Sequence, residues 1–470
     1  MKKNGVGIFG LGVMGQNLAL NFANHSHSVS VYNRTDNGEE QITIDFMDGL
    51  AREKSIEGFF TIEEFVNSLE TPRKILMMVQ TGSAVDSVIE QLKGHLESGD
   101  ILIDGGNSNF LDTQRRTKFL REESIEYIGC GISGGSSGAL NGPSIMLGGS
   151  QNAWEKVESF LVPIAANFGE YKCCERVGEN GAGHFVKMVH NGIEYAMMQM
   201  IAESFDILKR VLKLSYDDLT AVYERWQEGE LAGFLINTTA KVMNLKVEDN
   251  KYLLDVILDS SNQKGTGKET SIASLLLGVP ATTINEAVNA RYISNLLDLR
   301  MFYSTAQRET QSEYKYNVKK TIDMLEVTLK CSFIIAYYQG ISILLEASEE
   351  YNLDIDIAKV VNVWRGGCII ESKIIKEITN TQCDDLNKLL AVPSFKKIFT
   401  EHKNSWKDIV CIAFNNEIPV SAISSALSYF NALHTKRLPA NLIQAQRDCF
   451  GYHGFARVDQ DRENTFHIGE

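Results

Sequence analysis

The stretch VGIFGLGVMGQNLAL (6–20) constrains this chain more than any other. A short apolar run leads into Gly10-x-Gly12-x-x-Gly15, and an amphipathic helical pattern follows at once. Strand, glycine turn and helix in that order open a dinucleotide-binding βαβ unit. Gly10 permits the tight turn, Gly12 lets the backbone approach a pyrophosphate, and Gly15 lets helix and strand pack closely. Leu11, Val13 and Met14 complete the loop, and the helix N-terminus behind it favours phosphate charge.

The rest of the first 150 residues repeats the alternation. Runs at 6–10, 28–32, 74–79, 101–106, 126–129 and 144–149 read as buried strands, with helices such as Gln16–Asn24 and Ser83–His95 between them. Such alternation predicts an α/β Rossmann-type domain with a mainly parallel sheet. After about Gly178 the period changes to 3.6, with helices expected over Gly183–Leu212, Asp217–Leu235, Thr283–Met301 and Asn317–Tyr351. The expected organisation is a Rossmann-type domain over 1–178, a large all-α domain over 179–440 and a tail over 441–470, the last without a long helical pattern. Within the all-α part, VYERWQEGELAGFLI (222–236) resembles VVNVWRGGCIIESKII (360–375), a sign of internal duplication. Pairing Ser204 with Ser348 sets Cys331, Ile334, Ile335 and Tyr338 against Lys187, His190, Asn191 and Glu194, so the polar set belongs to one copy only.

Composition narrows the function. Hydrophobic content of 44% and charged content of 23% describe a globular chain, and a net charge of −14 argues against non-specific nucleic-acid binding. The eight cysteines form no zinc-ligand spacing, so no metal is expected and reduced thiols are the simplest reading. Three glycines break the apolar run at the start, and the expectation is that no segment approaches the ~20 apolar residues of a membrane span. A cytoplasmic protein without membrane attachment is expected.

The second strand ends in VYNRT, where a carboxylate would bind the 2′-hydroxyl of NAD; the chain has Asn33 and Arg34 instead. Arg34 can pair with a 2′-phosphate and points to NADP, while Glu39 and Glu40 would repel one and keep NAD open. In GAGHFVKMVHNGIEY (181–195), Lys187, His190, Asn191, Glu194 and Tyr195 fall within roughly 140° of a helix turning ~100° per residue. A lysine in a dry site can act as a base, and a glutamate two turns on as an acid. NQKGTGK (262–268) offers Lys264 and Thr266 to a phosphate without P-loop spacing, and ISGGSSGA (132–139) places Ser133, Gly134 and Gly135 after a strand.

Together with IDGGNS, GPSIM and LPANLIQAQRD, these motifs resemble the 6-phosphogluconate dehydrogenase family over essentially the whole chain. The resemblance implies oxidative decarboxylation of 6-phosphogluconate, with Lys187 as base and Glu194 as acid. It implies that Asn107, Ser133, Gly134, Gly135, His190 and Asn191 hold the sugar acid, and that Tyr195, Lys264, Thr266 and Arg291 meet its phosphate. Thr35, Val79, Gln80, Thr81 and Asn107 join the implied cofactor set. Arg447 and His453 match tail residues that reach a partner subunit, implying a homodimer. Gly38 and Gln80 stand where the family usually has lysines, Ser136 and Ser137 replace an acidic pair, and Glu269 replaces an aromatic. Two other readings are a 3-hydroxyacid dehydrogenase with an unphosphorylated substrate, which would leave Lys264, Arg291, Arg447 and His453 without a phosphate, and a catalytically retired paralogue, which intact Lys187 and Glu194 oppose.

Overall fold

The computed structural model describes residues 3–248, 251–304, 315–381 and 385–469. The apolar runs of the first half form β1 (Val6–Phe9), β2 (Val29–Tyr32), β3 (Ile56–Phe59), β4 (Lys74–Met77), β5 (Ile101–Asp104), β6 (Glu126–Ser133) and β7 (Ser144–Gly148). A small hairpin, β8 (Asn167–Phe168) with β9 (Tyr171–Lys172), precedes β10 (Cys174–Gly178). The main sheet runs β10-β7-β6-β5-β4-β1-β2-β3, every pair parallel except β6 with β7. Strands β3 and β10 were not foreseen: β3 is a partly exposed edge strand, and Glu175 and Arg176 interrupt the apolar pattern of β10.

Seven helices connect these strands: α1 (Val13–Asn24), α2 (Glu40–Asp48), α3 (Ile62–Asn67), α4 (Ser83–Lys93), α5 (Phe110–Arg121), α6 (Gly135–Asn141) and α7 (Gln151–Ile164). Apolar side chains of α1, α2 and α7 bury one face of the sheet, and those of α3, α4 and α5 bury the other. Because α1 and α4 lie on opposite faces, a crevice opens at the carboxyl ends of β1 and β4, where the strand order reverses.

Among the described residues, the strands of the second half are those of a hairpin, β11 (Lys246–Glu248) with β12 (Lys251–Tyr252), and the rest of its regular structure is helical. Its helices are α8 (Ala182–Asp206), α9 (Tyr216–Glu228), α10 (Phe234–Met243), α11 (Thr266–Leu276), α12 (Thr282–Ser294), α13 (Leu297–Ser304), α14 (Val318–Glu350), α15 (Ile357–Val363), α16 (Lys373–Thr379), α17 (Pro393–Asn415), α18 (Ser421–Leu433) and α19 (Ala440–Gly451). The expected helix over 217–235 breaks at Gly229, and the one over 283–301 breaks at Asn295. In the segments of the proposed repeat, Trp226 and Trp364 are both fully buried, and the two segments meet in an antiparallel bridge between Gly233 and Ser372.

Two expectations need correction. The stretch after 440 is not irregular: α19 forms, and the chain behind it folds back on buried Asp448, which accepts from Gly454 N and Ile468 N at 2.7 Å. In addition, α14 is long and apolar enough by length and composition to cross a membrane, with mean hydropathy 1.3. Its apolar window is 83% buried inside the fold, as a central packing helix should be.

Candidate active site

Helix α8 leaves the sheet and enters the helical bundle, so its polar arc lies at the seam between them. Phe185, Val186, Val189, Ile193, Ala196 and Met197 bury its other sides. The N-terminal turns press directly on β6 and β7. A Cβ built on Gly131 would stand 2.5 Å from Lys187 Cβ and 2.7 Å from Gly183 O, so only glycine at 131 permits this approach. Lys187 is thereby fixed beside the carboxyl end of β6, next to Ser133.

The polar groups form one continuous chain of hydrogen bonds. Lys187 Nζ donates to Asn191 Oδ1 at 2.9 Å, and His190 Nδ1 lies 3.0 Å from the same oxygen. An amide oxygen only accepts, so Nδ1 carries the imidazole proton, and Nε2 accepts from the Ser133 hydroxyl at 3.1 Å. Asn191 Nδ2 in turn donates to Thr266 Oγ1 at 3.0 Å, joining α8 to the start of α11. Glu194 Oε2 sits 3.8 Å from His190 Nδ1, one turn further along.

Burial sets the protonation states. It lowers the Lys187 pKa below the ordinary lysine value, with Glu194 and Cys368 pulling the other way. It raises Glu194, against Lys187 and Arg291. His190 is held well below its ordinary value by burial and then by Lys187. All three groups are therefore biased towards neutrality. A lysine free to take a proton and a glutamate able to give one is the arrangement that general base and acid chemistry requires.

Beyond Glu194, the face continues into an anion-friendly corner. The Arg291 guanidinium stacks 3.6 Å from the centroid of the Tyr195 ring and donates to Asn262 O at 3.1 Å. Thr266 is buried, while Lys264 is exposed on the loop before α11. Gly267 lies against the Tyr195 ring, its Cβ position 2.3 Å from Cδ2.

The glycine motif lines a cavity of about 380 Å³ with Asn33, Arg34, Asp36, Val79, Gln80, Ser87 and others. Gly10 has φ +102°, and a Cβ on Gly15 would stand 2.0 Å from Gly10 O. Space over Gly12 is open, and no side chain caps α1, so its first amides are free for an anion. Asn33 Oδ1 accepts from Leu11 N at 3.0 Å and ties the loop to the end of β2. These features fit a dinucleotide whose pyrophosphate rests on α1 and whose ribose lies towards Arg34. Val13, Thr35 and Thr81 are exposed at the rim, and Met14 is half-buried.

Asn107 is exposed on the loop after β5, between two neighbours tied to Asp104: Gly106 N donates to Oδ1 at 3.0 Å and Ser108 Oγ to Oδ2 at 2.6 Å. Gly134 and Gly135 open α6, with Gly134 at φ +119° against Gly367 O. Arg447 and His453 stand apart. Arg447 donates to Gln444 on its own helix, and among the described residues neither bonds any member of the α8 cluster. Sequence reasoning missed the 364–368 loop, which brings Gly367 against Gly134 and the Cys368 thiol near Lys187. The doubled glycine in WRGGC was its only signal.

Comparison with known proteins covers the whole chain. Residues 5–178 match the family described as the NAD binding domain of 6-phosphogluconate dehydrogenase, and residues 183–470 match its C-terminal domain. The chain is 44% identical to the decarboxylating 6-phosphogluconate dehydrogenase of Klebsiella pneumoniae and 45% identical to the NADP(+)-dependent, decarboxylating enzyme of Bacillus subtilis. Each match spans 99% of both chains. The structure is similar to that of Plasmodium falciparum 6-phosphogluconate dehydrogenase, described in apo form and in complex with NADP+ and with 6-phosphogluconate. The TM-score is 0.93, at 36% identity over 99% of this chain and 100% of that one.

Proposed function

The chain belongs to the 6-phosphogluconate dehydrogenase family, and on that premise we propose that Lys187 and Glu194 divide the proton transfers of its reaction. It catalyses oxidative decarboxylation of 6-phospho-D-gluconate to D-ribulose 5-phosphate and CO2, a step of the pentose phosphate pathway, with NADP as oxidant. When bound, NADP supplies the hydride acceptor. Gly10, Gly12 and Gly15 cradle its pyrophosphate, Arg34 lies on its ribose side, and Asn107 is placed between cofactor and sugar.

Neutral Lys187 takes the proton of the C3 hydroxyl as that carbon is oxidised to a ketone. The carboxylate then lies β to a carbonyl, so CO2 leaves and its bonding electrons move towards the ketone oxygen. Lys187, now protonated, polarises that oxygen. Glu194 delivers a proton to C1 of the resulting enediol. Ser133, Gly134, Gly135, His190 and Asn191 hold the sugar acid, and Tyr195, Lys264, Thr266 and Arg291 take its phosphate. One observation carries this reading: a buried lysine and a half-buried glutamate, both biased towards neutrality, lie on one face of α8. Lys187→Met should lower kcat by about a thousandfold while the Kd for 6-phosphogluconate stays within about tenfold. A near-parental kcat would refute the assignment.

The working unit is a homodimer, and the tail of one subunit completes the other's site. Leu442, Ile443 and Phe450 are exposed on α19 and Tyr452 just after it, and Leu275, Leu276, Met301 and Phe302 on α11 and α13. Apolar faces of this extent favour a protein partner. Arg447 and His453 then serve the partner's phosphate site. Mixing inactive Lys187→Met and Arg447→Ala subunits should restore activity at about one quarter of sites, because one site in each mixed dimer is intact. No recovery on mixing would exclude the shared site. The cytoplasm is the expected compartment, to be checked by cell fractionation.

A further inference from the structure

Arg34 is not free to receive a phosphate. Its Nε donates to Glu39 Oε2 at 2.7 Å and its Nη2 to Glu39 Oε1, a two-pronged pairing. The same carboxylate accepts from Asn33 Nδ2 at 3.4 Å, and Asn33 also holds the glycine loop through Leu11. A tight reversal aims Glu39 inward: Asn37 has φ +58° and Gly38 φ +82°, two successive left-handed residues that turn the chain back onto Arg34. Among the described residues lining the cavity, Arg34 is the one cation, and Asp36 adds a carboxylate beside it.

We propose that Glu39 is a specificity-determining residue that competes with the 2′-phosphate of NADP for Arg34 and accepts the 2′-hydroxyl of NAD, so that this chain uses both cofactors. The inference rests on the reading of Arg34 as the cation on the ribose side of the site. A 2′-phosphate carrying about −1.5 to −2 charge needs the same guanidinium fork that Glu39 fills. It must displace the carboxylate and then remain near it. A ribose 2′-hydroxyl demands neither, and donates to a carboxylate as in other NAD sites.

The test is isothermal titration of the full-length protein with 2′,5′-ADP, 5′-ADP, NADP+ and NAD+, for the parent, Glu39→Gln and Arg34→Met. Glu39→Gln should tighten 2′,5′-ADP and NADP+ by about tenfold, as expected for removing a unit charge a few ångströms from a phosphate. Binding of 5′-ADP and NAD+ should weaken by about three- to tenfold, because a charged acceptor of the 2′-hydroxyl becomes a neutral one, and an unchanged unfolding midpoint reports that the variant is folded; unchanged 5′-ADP and NAD+ binding overturns the hydroxyl contact. An equal effect on both fragments, or none on 2′,5′-ADP, overturns the competition. Arg34→Met separates the two claims. If it weakens 2′,5′-ADP while Glu39→Gln changes nothing, Arg34 meets the phosphate and Glu39 is no competitor. If it leaves 2′,5′-ADP unchanged, the placement of Arg34 itself fails. A parent that binds NADP+ more than about a hundredfold tighter than NAD+ also overturns the dual use.

Discussion

Placing Ala at 131 tests whether backbone packing sets the position of the base. Its Cβ would stand 2.5 Å from Lys187 Cβ, 2.7 Å from Gly183 O and 3.2 Å from Lys187 Cγ. Carbon contacts settle near about 3.5 Å, so α8 must retreat by roughly 1 Å, or β6 must bend by as much. Neither flexes cheaply, because the nearest atoms are a backbone oxygen and the stem of a buried side chain rather than a mobile tip. Overpacking of this kind costs about 1–3 kcal/mol of stability. The larger effect falls on turnover, since a displacement of about 1 Å at a reacting group costs on the order of a hundredfold in rate. Gly131→Ala is therefore expected to lower kcat by about a hundredfold while NADP+ binding stays within about threefold, the glycine loop being untouched. Gly149→Ala is the control: its Cβ would meet Ile128 Cγ1 at 3.5 Å, an ordinary contact. Steady-state kinetics, NADP+ titration and urea unfolding of both variants decide the matter. A Gly131→Ala enzyme with kcat within about threefold of the parent would show that α8 accommodates the methyl group and that Gly131 does not position Lys187.

Three other outcomes follow from the same geometry. The pH profile of kcat/KM should fall on both sides, because Lys187 must be neutral and Glu194 protonated; Glu194→Gln should flatten the alkaline limb, and an unchanged limb would remove Glu194 as the acid. Thr266→Val deprives the Asn191 amide of its acceptor, at about 1–3 kcal/mol, and kcat/KM should drop by about tenfold; equal rates for Thr266→Val and parent would sever α11 from the relay. Glu203 caps α18 by accepting from Ala422 N and Ile423 N at 2.9 Å, and burial pushes its carboxyl up from 4.5 to about 7. Its contribution is thus fully present below about pH 4.5 and lost as pH rises through 7, so Glu203→Gln should flatten the Tm profile across that window, and an undiminished slope would contradict the assignment.

What could be read from the sequence, and what could not, follows from how local each signal is. The glycine turn and the six strands around it are contiguous patterns with hydrophobic burial on both faces; five emerged within two residues of their expected ends, while β6 runs four residues further and takes in Ser133, which was expected after it. Strand β3 lies at an edge and is only partly buried, so its apolar signal was weak. Helix α19 was missed for a related reason. Within its own chain it buries little beyond Asp448, so it lacks the stripe that marks a helix packed on a core. Its apolar Leu442, Ile443 and Phe450 are exposed instead. The split of Asp217–Leu235 at Gly229 was hidden because apolar residues continue past the break.

The polar arc of α8 was legible because a helix maps spacing onto direction, but its location was not. That depends on glycines scattered through other elements. Gly131 on β6 admits Lys187, Gly267 on α11 admits the Tyr195 ring, and Gly340 on α14 admits Ile193, each with a Cβ position 2.3–2.5 Å from its neighbour. On α8 itself, Gly192 makes room for Thr270, whose hydroxyl donates to Met188 O at 2.8 Å. Two of these contacts bring another element within reach of the polar arc: β6 supplies Ser133 and α11 supplies Thr266, while Gly340 seats Ile193 on an apolar side. Read singly, these glycines look like ordinary weak points in a strand or a helix. Only the packed structure shows that three of them press on one helix and the fourth lies on it. They draw a row of polar side chains against other elements, where burial biases a lysine towards giving up its proton and a glutamate towards keeping one.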